Sequence, residues 1–411
     1  VISDSQNIIS GKPFSDSNED STLLADFKEK VNRLEINANS KSELIDKAEV
    51  ALLESVQPAY EKLIEYLAEL ERQAGSDDGA WKFPDGEAFY SQALQHTTTT
   101  ELNPSQVHQI GVDEVQRIHR EMRTILKLLE FDGDLQDFFH YVRTDSQFYF
   151  SNTPAGKQSY LSMAVDIIAT MQERLDDLFL RQPNADLIIK AVEPFREKSA
   201  GKAFYNRPAA DGSRPGIFYA NLYDTRDMPK YELEALAHHE GIPGHHMQIS
   251  VATELTGIPK FRKFGRFTAY TEGWALYMEY VPKELGFYAD PYADFGRLAL
   301  ELWRACRLVV DTGIHWQRWT REQAIQYLDD NTPSPHNQNV KAIERYIVMP
   351  SQATAYKIGM LKFLALRERS MEQLGDRFDI REYHDVVLRS GPLPLTMLEE
   401  VVDRWLASKR L

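Results

Sequence analysis

The 411-residue chain is 43% hydrophobic and 27% charged, which suits a globular protein with a substantial core, in one large helical domain or in two or three smaller ones. Its 47 Lys and Arg against 62 Asp and Glu leave a net charge of −15 with no basic block, which argues against a nucleic-acid partner and against an anionic membrane surface. The one cysteine, Cys306, rules out internal disulfides and a Cys-rich zinc knuckle, and no apolar run approaches the roughly 20 residues of a membrane span.

The opening, VISDSQNIIS, has neither an initiator Met nor a signal-peptide pattern, so a mature or excised chain is expected, and residues 1–21 are expected to be a flexible lead-in. Residues 22–411 are expected to form one helical unit, either undivided or as two lobes around a cleft. From Thr22 to Arg72, apolar residues at i, i+3 and i+4 predict two or three amphipathic helices. QAGSDDGAWKFPDG reads as a loop by its Gly, Asp and Pro content. LNPSQVHQIGVDEVQRIHREM predicts a helical hairpin capped by Asn103 or Ser105, with Pro104 in the first turn. GIFYANLYD, residues 216–224, is the best strand candidate, and the residues after it predict a helix running into His239, with Asp227 and Pro229 at its start. Further helices are predicted over 262–284, 294–319, 321–329, 340–374, 379–389 and 394–408, with no internal repeat. The fold class is therefore mainly α with one short sheet. Cys306, in the helical stretch LWRACRLVV, reads as a buried, inert thiol.

HHEGIPGHHMQ, residues 238–248, holds four of the eleven histidines. A catalytic zinc site needs three protein ligands, a position for water and a general base beside that water. The familiar HExxH motif sets two histidines one helical turn apart. Here two extra residues intervene. On a regular helix His239 and His245 would lie about 120° apart, and His239 and His246 about 10.5 Å apart along the axis. A regular helix cannot persist through this stretch, because Pro243 removes an N–H and Gly244 tolerates unusual backbone. A break at Ile242-Pro243-Gly244 would loop out the extra residues and bring His245 to a metal. The plainer alternative is a helix C-terminus at Gly241 with histidines near the negative end of its dipole. A third ligand should come from another helix. TAYTEGWALYMEY offers Glu272 and Glu279, with Gly273 allowing close approach of a further segment. Alone, Glu272 would read as an ordinary carboxylate at a helix N-terminus.

Together, HEGIPGHHMQ and TEGWALYMEY resemble the bacterial domain-of-unknown-function family 885, whose members are described as lipoproteins and grouped with the thermolysin-like (gluzincin) zinc metallopeptidases. FPDGEAFYSQALQHTTTTELNPSQVHQIGVDEVQRI, VVDTGIHWQRWTREQAIQYL, PSQATAYKIG and FDIREYHDVVLRSGPLPLTMLEEVV extend the likeness from about Ile64 to near the C-terminus. The resemblance implies a mostly helical metallopeptidase-like fold with a central cleft, and a place in the bacterial cell envelope, periplasmic or lipid-anchored. It implies one zinc ion held by His239, His245 and Glu272, with His246 as the alternative ligand and Glu240 as general base. His238 lies outside the pattern. In the chemistry that follows, Tyr356 and His384 are candidate donors to the tetrahedral oxyanion. The strand carrying Tyr219 and Asn221 is a candidate edge for an extended substrate.

Asp311 and His315, one turn apart, read either as a pair supporting the metal ligands or as an ordinary helix-face pair. Arg297, Arg304 and Arg307 sit at helical spacing, and one of them could grip a substrate carboxylate; the alternative is a solvated or ion-paired face. Three functional readings compete: a zinc metallopeptidase, a zinc hydrolase of another small amide, and a non-catalytic helical binding protein. A dinuclear carboxylate bundle is excluded, because no histidine has a Glu three residues before it.

Overall fold

The computed structural model describes residues 1–194, 196–198 and 200–409. The protein is mainly α, with one three-stranded sheet. The chain divides into two compact units, Val1–Ser76 with Glu193–Ala200, and Asp77–Val192 with Gly201–Leu411.

The first unit carries α1 (Ile2–Ile8), α2 (Thr22–Asn32), α3 (Ala38–Ala51) and α4 (Gln57–Gln73), α3 passing into α4 through a π-turn at Leu52–Val56. Residues 1–21, expected as a lead-in, contain α1, and Ser21 caps α2 by accepting the Leu24 amide. The division between units thus falls at Ser76 and Asp77, within the Gly- and Asp-rich loop, rather than at residue 21.

The second unit begins with α5 (Gly86–Thr98), α6 (Pro104–Leu128), α7 (Leu135–Thr144) and α8 (Pro154–Gln172). Strands β1 (Leu187–Ala191), β2 (Ala203–Asn206) and β3 (Gly216–Ala220) follow, then α9 (Lys230–Glu240), α10 (His245–Glu254), α11 (Lys260–Phe264) and α12 (Thr268–Tyr280). The remainder is α13 (Pro291–His315), α14 (Arg321–Asn331), α15 (His336–Val348), α16 (Ala355–Leu374), α17 (Ile380–Leu388) and α18 (Leu395–Ser408).

Local chemistry accounts for several boundaries. Asn103 forms a capping box with Gln106, and Pro104 opens α6 as predicted. Beyond that point the structure holds one long helix instead of a hairpin, because Val107, Val115, Ile118, Met122 and Ile125 bury a single continuous face. The helix predicted over 340–374 is two helices. Pro350 supplies no N–H, Ser351 is left-handed at φ 72°, and its amide donates to Asp311 Oδ1 at 3.0 Å. The helix predicted over 262–284 is likewise interrupted at Gly265, so α12 starts only at Thr268. Pro229 precedes α9 as its cap residue, while Asp227 lies in a 3-10 turn and accepts from Gln338.

The sheet order is β1-β3-β2, with β1 parallel and β2 antiparallel to β3. β3 is therefore central and β2 an edge. Long α13 packs on both α6 and α9, and α12 packs along α16. At the α12–α16 crossing Gly273 faces Gly359 so closely that a Cβ on Gly273 would lie 2.4 Å from the Gly359 Cα. Three apolar clusters result: one around Trp274, Tyr277 and Phe363, one around Phe138, Phe295 and Cys306, and one between β3 and helices α8 and α9. Cys306 is fully buried, and burial pushes its thiol pKa up. No helix among the described residues is long and apolar enough to cross a membrane.

Candidate metal centre

The chain breaks where the Pro-Gly pair demands it. α9 ends at Glu240, the Ile242-Pro243 bond is cis, and α10 begins at His245. Three hydrogen bonds hold the break: Gly244 N–H donates to His238 O, His246 N–H to Gly241 O, and Trp274 Nε1–H to Pro243 O. The last bond ties the break to α12. Gly244 is obligatory here, since a Cβ would fall 2.1 Å from the His239 carbonyl oxygen.

This break turns His239 and His245 toward each other, with ring centroids 4.8 Å apart. Glu272, from the start of α12, completes a triangle. Its Oε2 lies 3.6 Å from His239 Nε2 and 3.4 Å from His245 Nε2, and the three ligand atoms all fall within 4.8 Å of one another. A tetrahedral ion with bonds of about 2.1 Å separates its ligand atoms by about 3.4 Å. The donor set, two imidazoles and one carboxylate, and its spacing therefore fit a zinc-sized cation.

Glu279, two turns beyond Glu272 on α12, accepts from His239 Nδ1–H at 2.7 Å and lies 3.3 Å from Arg304 of α13. That bond fixes the ring so that Nε2 faces Glu272, the support that metal-binding histidines ordinarily have. Burial pulls the His239 pKa down, but Glu272 and Glu279 outweigh it and raise it to about 9. For Glu272, burial is outweighed by His245 and His239, which hold the carboxylate well below its usual range. The pocket between these carboxylates is electrostatically suited to a positive charge. Glu240, the last residue of α9, is 6% exposed and faces the same cavity. Burial raises its pKa against the opposing pull of His239 and His245.

The cavity has a volume of about 500 Å³. It is walled by the triangle of His239, His245 and Glu272, by Tyr356 from α16, by Arg304 and Arg307 from α13, and by the start of β2. Tyr356 sits under Arg307, whose guanidinium is 4.6 Å from the ring centroid.

The other sequence candidates lie elsewhere. His246 is spent on structure: Nε2 donates to Ala185 O and Nδ1 pairs with Tyr205 Oη, both at 2.9 Å, which leaves His245 as the histidine in the triangle. His384 is a core residue, stacked on Phe179 and bonded to Leu178 O and Tyr277 Oη, and does not line the cavity. Tyr219 and Asn221 do not line it either. Tyr219 stacks on Phe204, Asn221 holds the Gly201 carbonyl, and β3 has neighbours on both sides, so it offers no edge. Asp311 accepts from Tyr90 and Ser351, and His315 bonds Ala80 and Tyr346, so this pair supports helix packing and not the triangle. Arg297 is consumed by Asp294 and Glu301. His238 bonds Tyr288 Oη and stays outside the triangle.

The sequence offered Glu279 beside Glu272 as a carboxylate ligand, whereas the structure turns it to His239 Nδ1; its spacing of seven residues after Glu272 returns it to the same helix face. β2, AFYN, is too short to announce itself by alternation.

The sequence matches the family described as bacterial protein of unknown function (DUF885) over residues 1–402. Among solved structures, the putative lipoprotein from Colwellia psychrerythraea superposes with a TM-score of 0.94 at 37% identity, over 99% of this chain and 69% of that one. A putative lipoprotein of unknown function from Shewanella oneidensis superposes at 0.72 with 18% identity, over 97% of this chain and 71% of that one, a likeness of fold. No curated protein matches the sequence.

Proposed function

We propose that this chain, which belongs to the bacterial protein family of unknown function DUF885, is a zinc-dependent metallopeptidase of the cell envelope. The observation that carries the reading is the triangle of His239, His245 and Glu272 beside the buried carboxylate of Glu240, at the wall of a cavity large enough for a short peptide. A zinc ion held there supplies a Lewis acid for the scissile carbonyl and acidifies a bound water. Glu240, buried at the cavity wall beside the triangle, takes the proton from the attacking water on its carboxylate and returns it to the leaving amine. Tyr356, with its hydroxyl pKa raised by burial and by Glu272, is the cavity-wall donor for the developing oxyanion. Glu279 orients His239.

We read the substrate as a peptide rather than a non-peptide amide because β2, the strand at the side of the sheet away from β1, contributes Ala203, Phe204 and Tyr205 to the cavity wall. An extended substrate can add to such an edge through main-chain hydrogen bonds. The envelope location rests on the lipoprotein designation of the structural relatives.

The test begins with metal analysis of the chain purified without a histidine tag. About one zinc per chain is expected. Absence of zinc, with no uptake from micromolar zinc, sinks the proposal. With zinc bound, Glu240→Gln should keep the metal and lose at least about a hundredfold in peptide hydrolysis.

A further inference from the structure

The cavity is basic in an acidic protein. Against a net charge of −15, its walls carry Arg266, Arg304, Arg307 and Arg345, and also Lys202, which is neutralised by Glu232. Arg304 is engaged by Glu279 and the Leu300 carbonyl. Arg307 differs. Its Nε–H donates to Tyr346 Oη at 2.9 Å, and the rings of Tyr356, Trp303 and Tyr346 surround its guanidinium at 4.6, 5.8 and 5.8 Å. Among the described residues no carboxylate is ion-paired with it, although Arg297, on the same helix, has two; Glu272 acts on its charge only from beyond ion-pair distance.

A guanidinium held by its Nε, packed between aromatic rings and open to a cavity presents its two terminal nitrogens as a fixed fork. That fork matches the two oxygens of a carboxylate. Position narrows the choice of anion. Arg307 follows Arg304 by three residues, about 4.5 Å along α13, and Arg304 touches the carboxylate that orients His239. A carboxylate on Arg307 would therefore lie near the triangle of His239, His245 and Glu272, on the wall of the same cavity.

We infer that Arg307 anchors the free C-terminal carboxylate of a short peptide, so that the enzyme trims peptides from the carboxyl end. This rests on the peptidase reading above and adds the substrate class to it. Arg266 and Arg345, at the exposed part of the wall, draw the anionic end inward without gripping it.

The experiment is a binding titration of an N-acetylated tripeptide, as free acid and as C-terminal amide, to the Glu240→Gln chain with added zinc. The acid should bind about 10- to 100-fold more tightly than the amide. Adding Arg307→Met should erase that preference. Arg307→Lys, which keeps the charge and loses the fork, should retain only part of it, and melting curves of both variants report on folding. Equal binding of acid and amide, or a preference that survives Arg307→Met, overturns the anchor. Hydrolysis by the unmutated chain separates the two claims. A peptide acid held through Arg307 but never cleaved would refute the peptidase and uphold the anchor. Equal binding with cleavage of both forms would refute the anchor and uphold the peptidase.

Discussion

Glu279 shows how one side chain can set the quality of the proposed metal site without entering it. Its Oε1 holds His239 Nδ1–H at 2.7 Å, while its Oε2 is buried without a partner. Replacing it by Gln keeps the shape but removes the charge that orients and polarises the imidazole. Glu279→Gln should weaken zinc binding about 10- to 100-fold, measured by competition with a chelating dye, with little change in fold. A second buried charge matters for stability. Lys357, 0% exposed, is held by Glu301 at 2.6 Å and Glu114 at 2.8 Å, and Arg117 joins the same two carboxylates. Lys357→Met would leave those acids short of a cation in the interior, at a cost of about 3–5 kcal/mol in a denaturant titration.

At the scale of elements, the α12–α16 crossing fixes the site's breadth, because one helix carries Glu272 and the other Tyr356 three residues before Gly359. Gly273→Ala would drive a methyl into the Gly359 backbone. We expect a stability loss of about 1–3 kcal/mol and weaker zinc binding as Glu272 is pushed outward. Unchanged melting and unchanged metal affinity would show that the crossing has slack. The same elements show what could be read in advance. The break between α9 and α10 was legible, since Pro243 and Gly244 state locally what the backbone must do. The close approach at Gly273 was legible for the same reason. The fate of His384 and Tyr219 was not, because their partners, Leu178 and Tyr277 in one case and Phe204 in the other, are brought in by tertiary packing. Which strand would be the edge depended on β1 and β2, whose short runs carry no clear alternation. The split at Pro350 could have been anticipated from the proline itself.

For the whole molecule, buried titratable groups set an acid limit. Burial lowers the His384 pKa from 6.5 to about 3, so the fold needs the neutral ring. Its contribution is complete above pH 6.5 and is lost as pH falls toward 3. For Glu301, burial is outweighed by Lys357, Arg117 and Arg297, and the pKa falls from 4.5 to about 2. Its contribution is complete above pH 4.5 and is lost as pH falls toward 2. Both act in the same direction, so stability should decline below pH 6.5 and steepen below 4.5, by several kcal/mol in all by order of magnitude. Urea midpoints between pH 7 and pH 3 would check this, and a flat profile would contradict it.

The break between α9 and α10 also changes how kindred proteins can be found. A search for H-E-x-x-H assumes that both histidines obey one helical period, and it passes over a chain in which they belong to two helices. The pattern of the proposed site is H-E-x-x-P-G-H with E-G beginning 27 residues after the second histidine, as His245 and Glu272 stand in this sequence. The spacer length records the geometry of the loop, whereas the donor set records the chemistry. Searches that hold the second constant while letting the first vary will gather metal sites that a fixed-length motif keeps apart.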